Sequence, residues 1–147
     1  MITNKMNYSS VITKLYFLLI HADGKVNERE ISLGQQMVSS EAIDEEEFKV
    51  QMVLLESKDR SKIYSDGVAG LKKLEREEQV RIIAWLCVVA NADGFMDRTE
   101  WQFIYRIYHN ELQLPLDEVI NKQKELNRIQ HPPVFSATSQ SQIVFSL

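Results

Sequence analysis

The chain has 147 residues, 44% of them hydrophobic and 26% charged, and carries a formal net charge of -4. That size and apolar content suit one domain with a sizeable buried core, and the acidic balance excludes a general nucleic-acid binder, which needs a basic excess to neutralise phosphates. A single Cys87 excludes an internal disulfide and a cysteine-based zinc site.

The first segment repeats Tyr8, Val11, Ile12, Leu15, Leu18, Leu19 and Ala22 at three- and four-residue spacing, which predicts a helix with a broad apolar stripe, capped by Asn7 or Ser9 and stopping at Gly24. A second helix opens with Asn27 as N-cap and Glu30 three places on, a capping box, with Val26 and Ile31 as a hydrophobic staple and a stripe through Gly34, Met37 and Val38. Ile43, Asp44, Glu47 and Phe48 repeat box and staple for a third helix running to Leu55 or Ser57, with Glu45 and Glu46 favourably placed at the positive end of its dipole.

Between Lys58 and Leu74 the pattern is weaker. Gly67 and Gly70 predict a short or bent helix, because each costs about 1 kcal/mol relative to Ala in a helix interior. From Glu75, with Glu77 and Glu78 in the first turn, Val80 to Ala90 is apolar nearly all round, the pattern of a central buried helix that makes Cys87 a structural thiol. Asp97 and Glu100 then box the next helix, Met96 and Trp101 staple it, and Ile104, Tyr105, Ile107 and Tyr108 form its face. Pro115 marks the start of a last helix carrying Val119, Ile120 and Leu126, and Pro132-Pro133 closes the regular part.

This reads as an all-α, single-domain bundle of about seven helices over residues 1–130, followed by a Ser/Thr/Gln-rich tail over 131–147 with the apolar islands Val134-Phe135 and Ile143-Val144-Phe145. The tail is either a poorly ordered or draped segment or a recognition peptide able to add a strand to a partner's sheet. The longest apolar run, 82–90, is too short to span a bilayer, and the segment after Met1 lacks a signal-peptide pattern, so no membrane insertion and a cytoplasmic location are expected.

One stretch occurs twice. His21-Ala22-Asp23-Gly24-Lys25-Val26-Asn27-Glu28-Arg29-Glu30 and Asn91-Ala92-Asp93-Gly94-Phe95-Met96-Asp97-Arg98-Thr99-Glu100 stand in register, from 21 to 91 an offset of 70 residues. Each follows an apolar helix and precedes an amphipathic one, which predicts a duplicated helix-loop-helix unit, about 8–57 and 75–128. An EF-hand is excluded by Leu19 and Val89, which stand where oxygen ligands are required.

Asp23 and Asp93 are the residues that capping explains least, since each falls at the negative end of a helix dipole. Each carboxylate can close an Asx-turn on the amides entering the next helix. It can instead join an oxygen-ligand cation site with Glu30, Glu100 or Asn27 if the two loops converge. His21 is expected to offset the carbonyl end of its helix rather than to bind metal.

With two copies of helix-Ala-Asp-Gly-x-hydrophobic-x-x-x-Glu-helix, the chain resembles, over about residues 8 to 128, the TerB-like family of bacterial tellurite-resistance and stress-associated proteins, also seen as a domain fused to co-chaperones. The resemblance implies a compact bundle of about seven helices and a divalent-cation role (Ca²⁺, Mg²⁺ or Zn²⁺) for Asp23, Glu30, Asp93 and Glu100, with Asn27 and Asp97 as secondary candidates. It implies no catalytic activity, and the sequence itself carries no Ser-His-Asp or Cys-His set, no phosphate-cradling Gly-rich loop and no metalloprotease motif. Two functions are therefore expected: a non-enzymatic accessory protein of a stress or metal-resistance response, or a helical adaptor that docks protein partners and whose Asp-Gly turns are purely structural.

Overall fold

Two helices, one ending at each copy of the repeated stretch, form the middle of the molecule. The structure, a computed structural model, describes residues 2–92, 94 and 96–130; Asp93 and the tail from His131 lie outside the described residues. In chain order these form α1 (Ile2–Ile20), α2 (Glu28–Ser40), α3 (Glu45–Glu56), α4 (Arg60–Lys72), α5 (Arg76–Ala90), α6 (Arg98–Tyr105), a π-helical stretch Arg106–Glu111 and α7 (Leu116–Gln130). Among the described residues there are seven α-helices, no strand, and no helix long and apolar enough to cross a membrane.

α5 is buried along Val80 and the whole of 82–90, and α1 along Val11, Ile12 and 15–20. The two pack on each other; α1 also carries α3 and α4, and α5 carries α2, α6 and α7. Removing these side chains from water is the main favourable term in the fold, at roughly 1.5 to 3 kcal/mol for each large aliphatic or aromatic group. Cys87 sits within α5, and burial pushes its thiol up to about 12, so it is not a nucleophile at neutral pH.

The starts of α3 and α5 stand where the sequence placed them, and the Glu75–Glu78 box and the Asp59 cap are added by the structure. The Asp44 carboxylate accepts from the Glu47 amide at 3.0 Å, and Glu75 and Glu78 form a reciprocal capping box. Asp59, accepting from the Lys62 amide at 3.2 Å, caps α4. α7 begins directly after Pro115, whose missing N–H costs nothing at a helix start.

Three expectations are corrected. α1 begins at Ile2, not beside Asn7 or Ser9: the polar residues before Tyr8 include no Gly or Pro to stop the helix, and the Asn7 side chain instead donates across to the Gly70 carbonyl at 3.4 Å. α4 is not short, running 13 residues from Arg60 to Lys72. Its glycines are contact points on α1, since a Cβ at Gly70 would lie 2.6 Å from Val11 Cγ2 and one at Gly67 3.1 Å from Leu15 Cδ2. The expected single helix after Asp97 widens at Arg106 into the π-helix, where the Leu112 amide reaches back to the Ile107 carbonyl at 3.0 Å.

The Gly70 contact makes a prediction whose sign is opposite to helix propensity. Gly70→Ala should gain about 1 kcal/mol intrinsically but lose more, about 1 to 3 kcal/mol, by forcing α4 off α1. Denaturant unfolding should therefore show a net loss of stability; a gain would mean that the interface yields at no cost.

Candidate functional site

The two bends have the same backbone design. After α1 the Ala22 amide bonds the Leu19 carbonyl and the Gly24 amide the His21 carbonyl, both at 3.1 Å; after α5 the pairs are Ala92 to Val89 at 3.1 Å and Gly94 to Asn91 at 2.9 Å. Gly24 and Gly94 take φ of +82° and +93°, a conformation that glycine adopts without a Cβ penalty. The likeness is local, for α6 passes into a π-helix and α2 does not.

His21 and Asn91 do the same work in their bends. His21 Nδ1 lies 2.8 Å from the Phe17 carbonyl and donates to it, while its ring packs on Phe17 at 4.3 Å. Asn91 Nδ2 donates to the Cys87 carbonyl at 3.1 Å. Both side chains fold back onto a carbonyl in the last turn of their helix, and at Cys87 the Asn91 backbone amide donates to the same oxygen at 3.0 Å.

Asp23 accepts the Lys25 amide on Oδ1 at 3.0 Å, closing the Asx-turn. Asn27 caps α2 through the Arg29 amide at 2.7 Å, and Asp97 caps α6 through the Thr99 amide at 2.9 Å. These bonds go to the residue two places on, not to Glu30 or Glu100 as a reciprocal box requires. One half of the second box does form, because the Glu100 carboxylate takes the Asp97 backbone amide.

Glu30 and Glu100 are only 5% and 4% exposed, unlike ordinary first-turn glutamates. They meet: each bend contributes one carboxyl group and the two side chains interact, with the Asp23 and Asp97 charges close by. Burial is the first reason that Glu100 holds its proton above the usual carboxylate range; the negative charges of Asp23 and Asp97 add to it, against the hydrogen bonds from Glu30 and the Asp97 amide. Tyr16 fixes the approach, as its hydroxyl donates to the Glu30 carbonyl at 3.0 Å through a gap that only Gly34 leaves open.

The donors brought together are all oxygen atoms. That fits a hard cation. Among the described residues no group of three or more His, Cys, Asp or Glu side chains is arranged to hold a metal ion. Two carboxylates are fewer oxygen donors than the six to eight that Ca²⁺ takes, whereas Mg²⁺ is commonly held through one or two with water completing its shell.

A third buried carboxylate was not legible in the sequence. Glu41, at the end of α2, receives Arg81 of α5 through Nε at 2.8 and 3.0 Å and a terminal guanidinium nitrogen at 2.7 Å, and the Tyr8 hydroxyl of α1 donates to the same carboxylate. The Trp85 indole N–H faces this carboxylate without reaching hydrogen-bond geometry. Burial alone would raise the Glu41 carboxyl, but the hydrogen bonds from Arg81 and Tyr8 overturn it and hold the carboxyl below the usual range. The arrangement ties three helices together.

Comparison with known proteins agrees with the resemblance. A family model described as tellurite resistance protein TerB matches residues 10–124, most of the chain and both bends. No curated protein and no solved structure matches.

Proposed function

The chain belongs to the TerB family, and on that premise we propose that it is a non-enzymatic, cytoplasmic accessory protein of a tellurite- or metal-stress response that holds a divalent cation, Mg²⁺ for preference, between its two acidic bends. The observation that carries this reading is the meeting of Glu30 and Glu100, two buried carboxyl groups from the two bends, beside Asp23 and Asp97. Buried carboxylates are costly unless something positive compensates them. A proton does so in part, and a cation does so more fully. Asp93, the in-register counterpart of Asp23, is the further ligand that this reading assigns.

The test is a thermal melt of the whole chain in EDTA and in rising Mg²⁺. Binding to the folded state alone stabilises by mass action, by about 2.7 kcal/mol at a hundredfold excess over Kd. The melting temperature should therefore climb with Mg²⁺, and Asp23→Asn with Asp93→Asn should flatten the response. An unchanged melting temperature in the unaltered chain would sink the cation reading.

A second reading, a helical docking adaptor, is favoured by α3. Its outer face leaves Val50, Val53 and Leu54 at least half exposed beside Glu45, Glu46 and Glu47. A helix apolar on more faces than it buries is suited to a partner, here one with an apolar and basic face. Under that reading the bends are structural and Mg²⁺ leaves the melt unmoved.

A further inference from the structure

Beside the first bend lies a cleft of about 650 Å³ walled by α1, α4 and α6. Its polar lining is His21, Arg60, Ser61, Ser65, Thr99, Gln102 and Arg106, with Leu18, Tyr64 and Phe103 as its apolar wall, and among the described residues no carboxylate lines it. In a chain with net charge -4, a cleft with two guanidinium groups and no acidic side chain runs against the general balance.

Both arginines are held by aromatic faces. The Arg60 guanidinium lies 5.3 Å from the Phe17 ring centroid and that of Arg106 4.4 Å from the Tyr64 centroid. The acidic groups nearest in the chain are engaged elsewhere: Asp59 caps the Lys62 amide, and Glu111 pairs with Lys72 at 3.3 Å and accepts the Tyr64 hydroxyl at 3.0 Å. Cation–π contact orients a guanidinium while leaving its N–H edge able to donate, and that edge matches phosphate oxygens two at a time. The hydroxyls of Ser61 and Ser65, one turn apart on α4, add short neutral donors on the same wall.

We propose that this cleft is a binding site for a phosphate-bearing small molecule, its phosphate oxygens held by Arg60 and Arg106 with Ser61, Ser65, Thr99 and Gln102, and its organic part lying on Leu18 and Phe103. The volume falls within the roughly 300 to 1,000 Å³ usual for small-molecule sites and is larger than a bare phosphate needs. The site stands apart from the cation reading, although His21, Ala22 and Thr99 bring the two within one bend of each other.

The probe is inorganic pyrophosphate, titrated calorimetrically into the full chain in EDTA, so that failure of Mg²⁺ binding and failure of this site are read separately. Pyrophosphate should bind more tightly than sulfate at the same ionic strength, and Arg60→Ala with Arg106→Ala should weaken it by about tenfold or more, the weight of one charge-assisted hydrogen bond. Lys122→Ala, on the far helix α7, should leave binding unchanged. Should the arginine variant fail to fold, amide shifts in the unaltered chain decide: movement centred on Ser61, Ser65, Thr99 and Gln102 supports the site. A second arm uses phosphatidylcholine vesicles with and without phosphatidic acid. Pyrophosphate binding without vesicle binding assigns a soluble ligand, and vesicle binding lost in the arginine variant assigns the phosphate to a lipid headgroup. No binding in either arm, equal binding by the arginine variant, or shifts spread over the whole surface would overturn the proposal.

Discussion

Arg81→Ala is expected to cost about 3 kcal/mol of stability, the most of any exchange considered, and to lower the melting temperature by roughly 10 °C. The cost comes chiefly from what is left behind. Glu41 has a side chain only 4% exposed and would keep its charge without the guanidinium that compensates it. Glu41→Gln should cost less, because an amide carries no net charge into the site, and Glu41→Leu with Arg81→Met should be nearer neutral than Arg81→Ala alone. The sign with pH follows from the lowered carboxyl. A carboxyl lowered by folding contributes stability that is complete above its unfolded value and is lost as pH falls through the folded one. The advantage of the unaltered chain over Glu41→Gln should therefore hold at neutral pH and shrink below the ordinary carboxylate range. A melting temperature unchanged by Arg81→Ala would mean that the three-helix tie contributes nothing.

Glu100→Gln should act in the opposite direction. Folding raises the Glu100 carboxyl, so its contribution is complete below the unfolded value and is lost as pH rises through the folded one. At neutral pH without metal, a glutamine that keeps the bond from the Asp97 amide and donates to Glu30 should raise the melting temperature by a few degrees, for about 1 kcal/mol. The same variant should lose the Mg²⁺ response. Stability gained where binding is lost is what a carboxylate kept for a ligand should show. A Glu100→Gln protein that melts lower in EDTA would instead mark the pair as structural.

The sequence disclosed what depends on neighbours within a turn or two. Asp44 and Asp97 could be placed at helix starts because capping is local chemistry, and α5 could be placed in the centre because its apolar residues leave no polar face. What depends on distant pairing was not disclosed. Glu41 and Arg81 are 40 residues apart, and nothing at either position signals the other. Gly67 and Gly70 looked like helix weaknesses because α1, the surface they fit, is far away in the chain. Glu30 and Glu100 were legible as residues but as half of a capping box each. Their meeting depends on how α1 and α5 pack, and the sequence could state it only as a condition. The arginines of the cleft, 60 and 106, were passed over for the same reason.

Paramagnetic broadening by Mn²⁺, standing in for Mg²⁺, reads the acidic bends most directly in the amide spectrum of the full chain. Substoichiometric Mn²⁺ should broaden residues 27–31 and 97–101 together, before any other part of the molecule, and excess Mg²⁺ should restore them. Broadening of only one bend, or an even loss of signal over the acidic surface that includes Glu45 to Glu47, would contradict a cation held between Glu30 and Glu100.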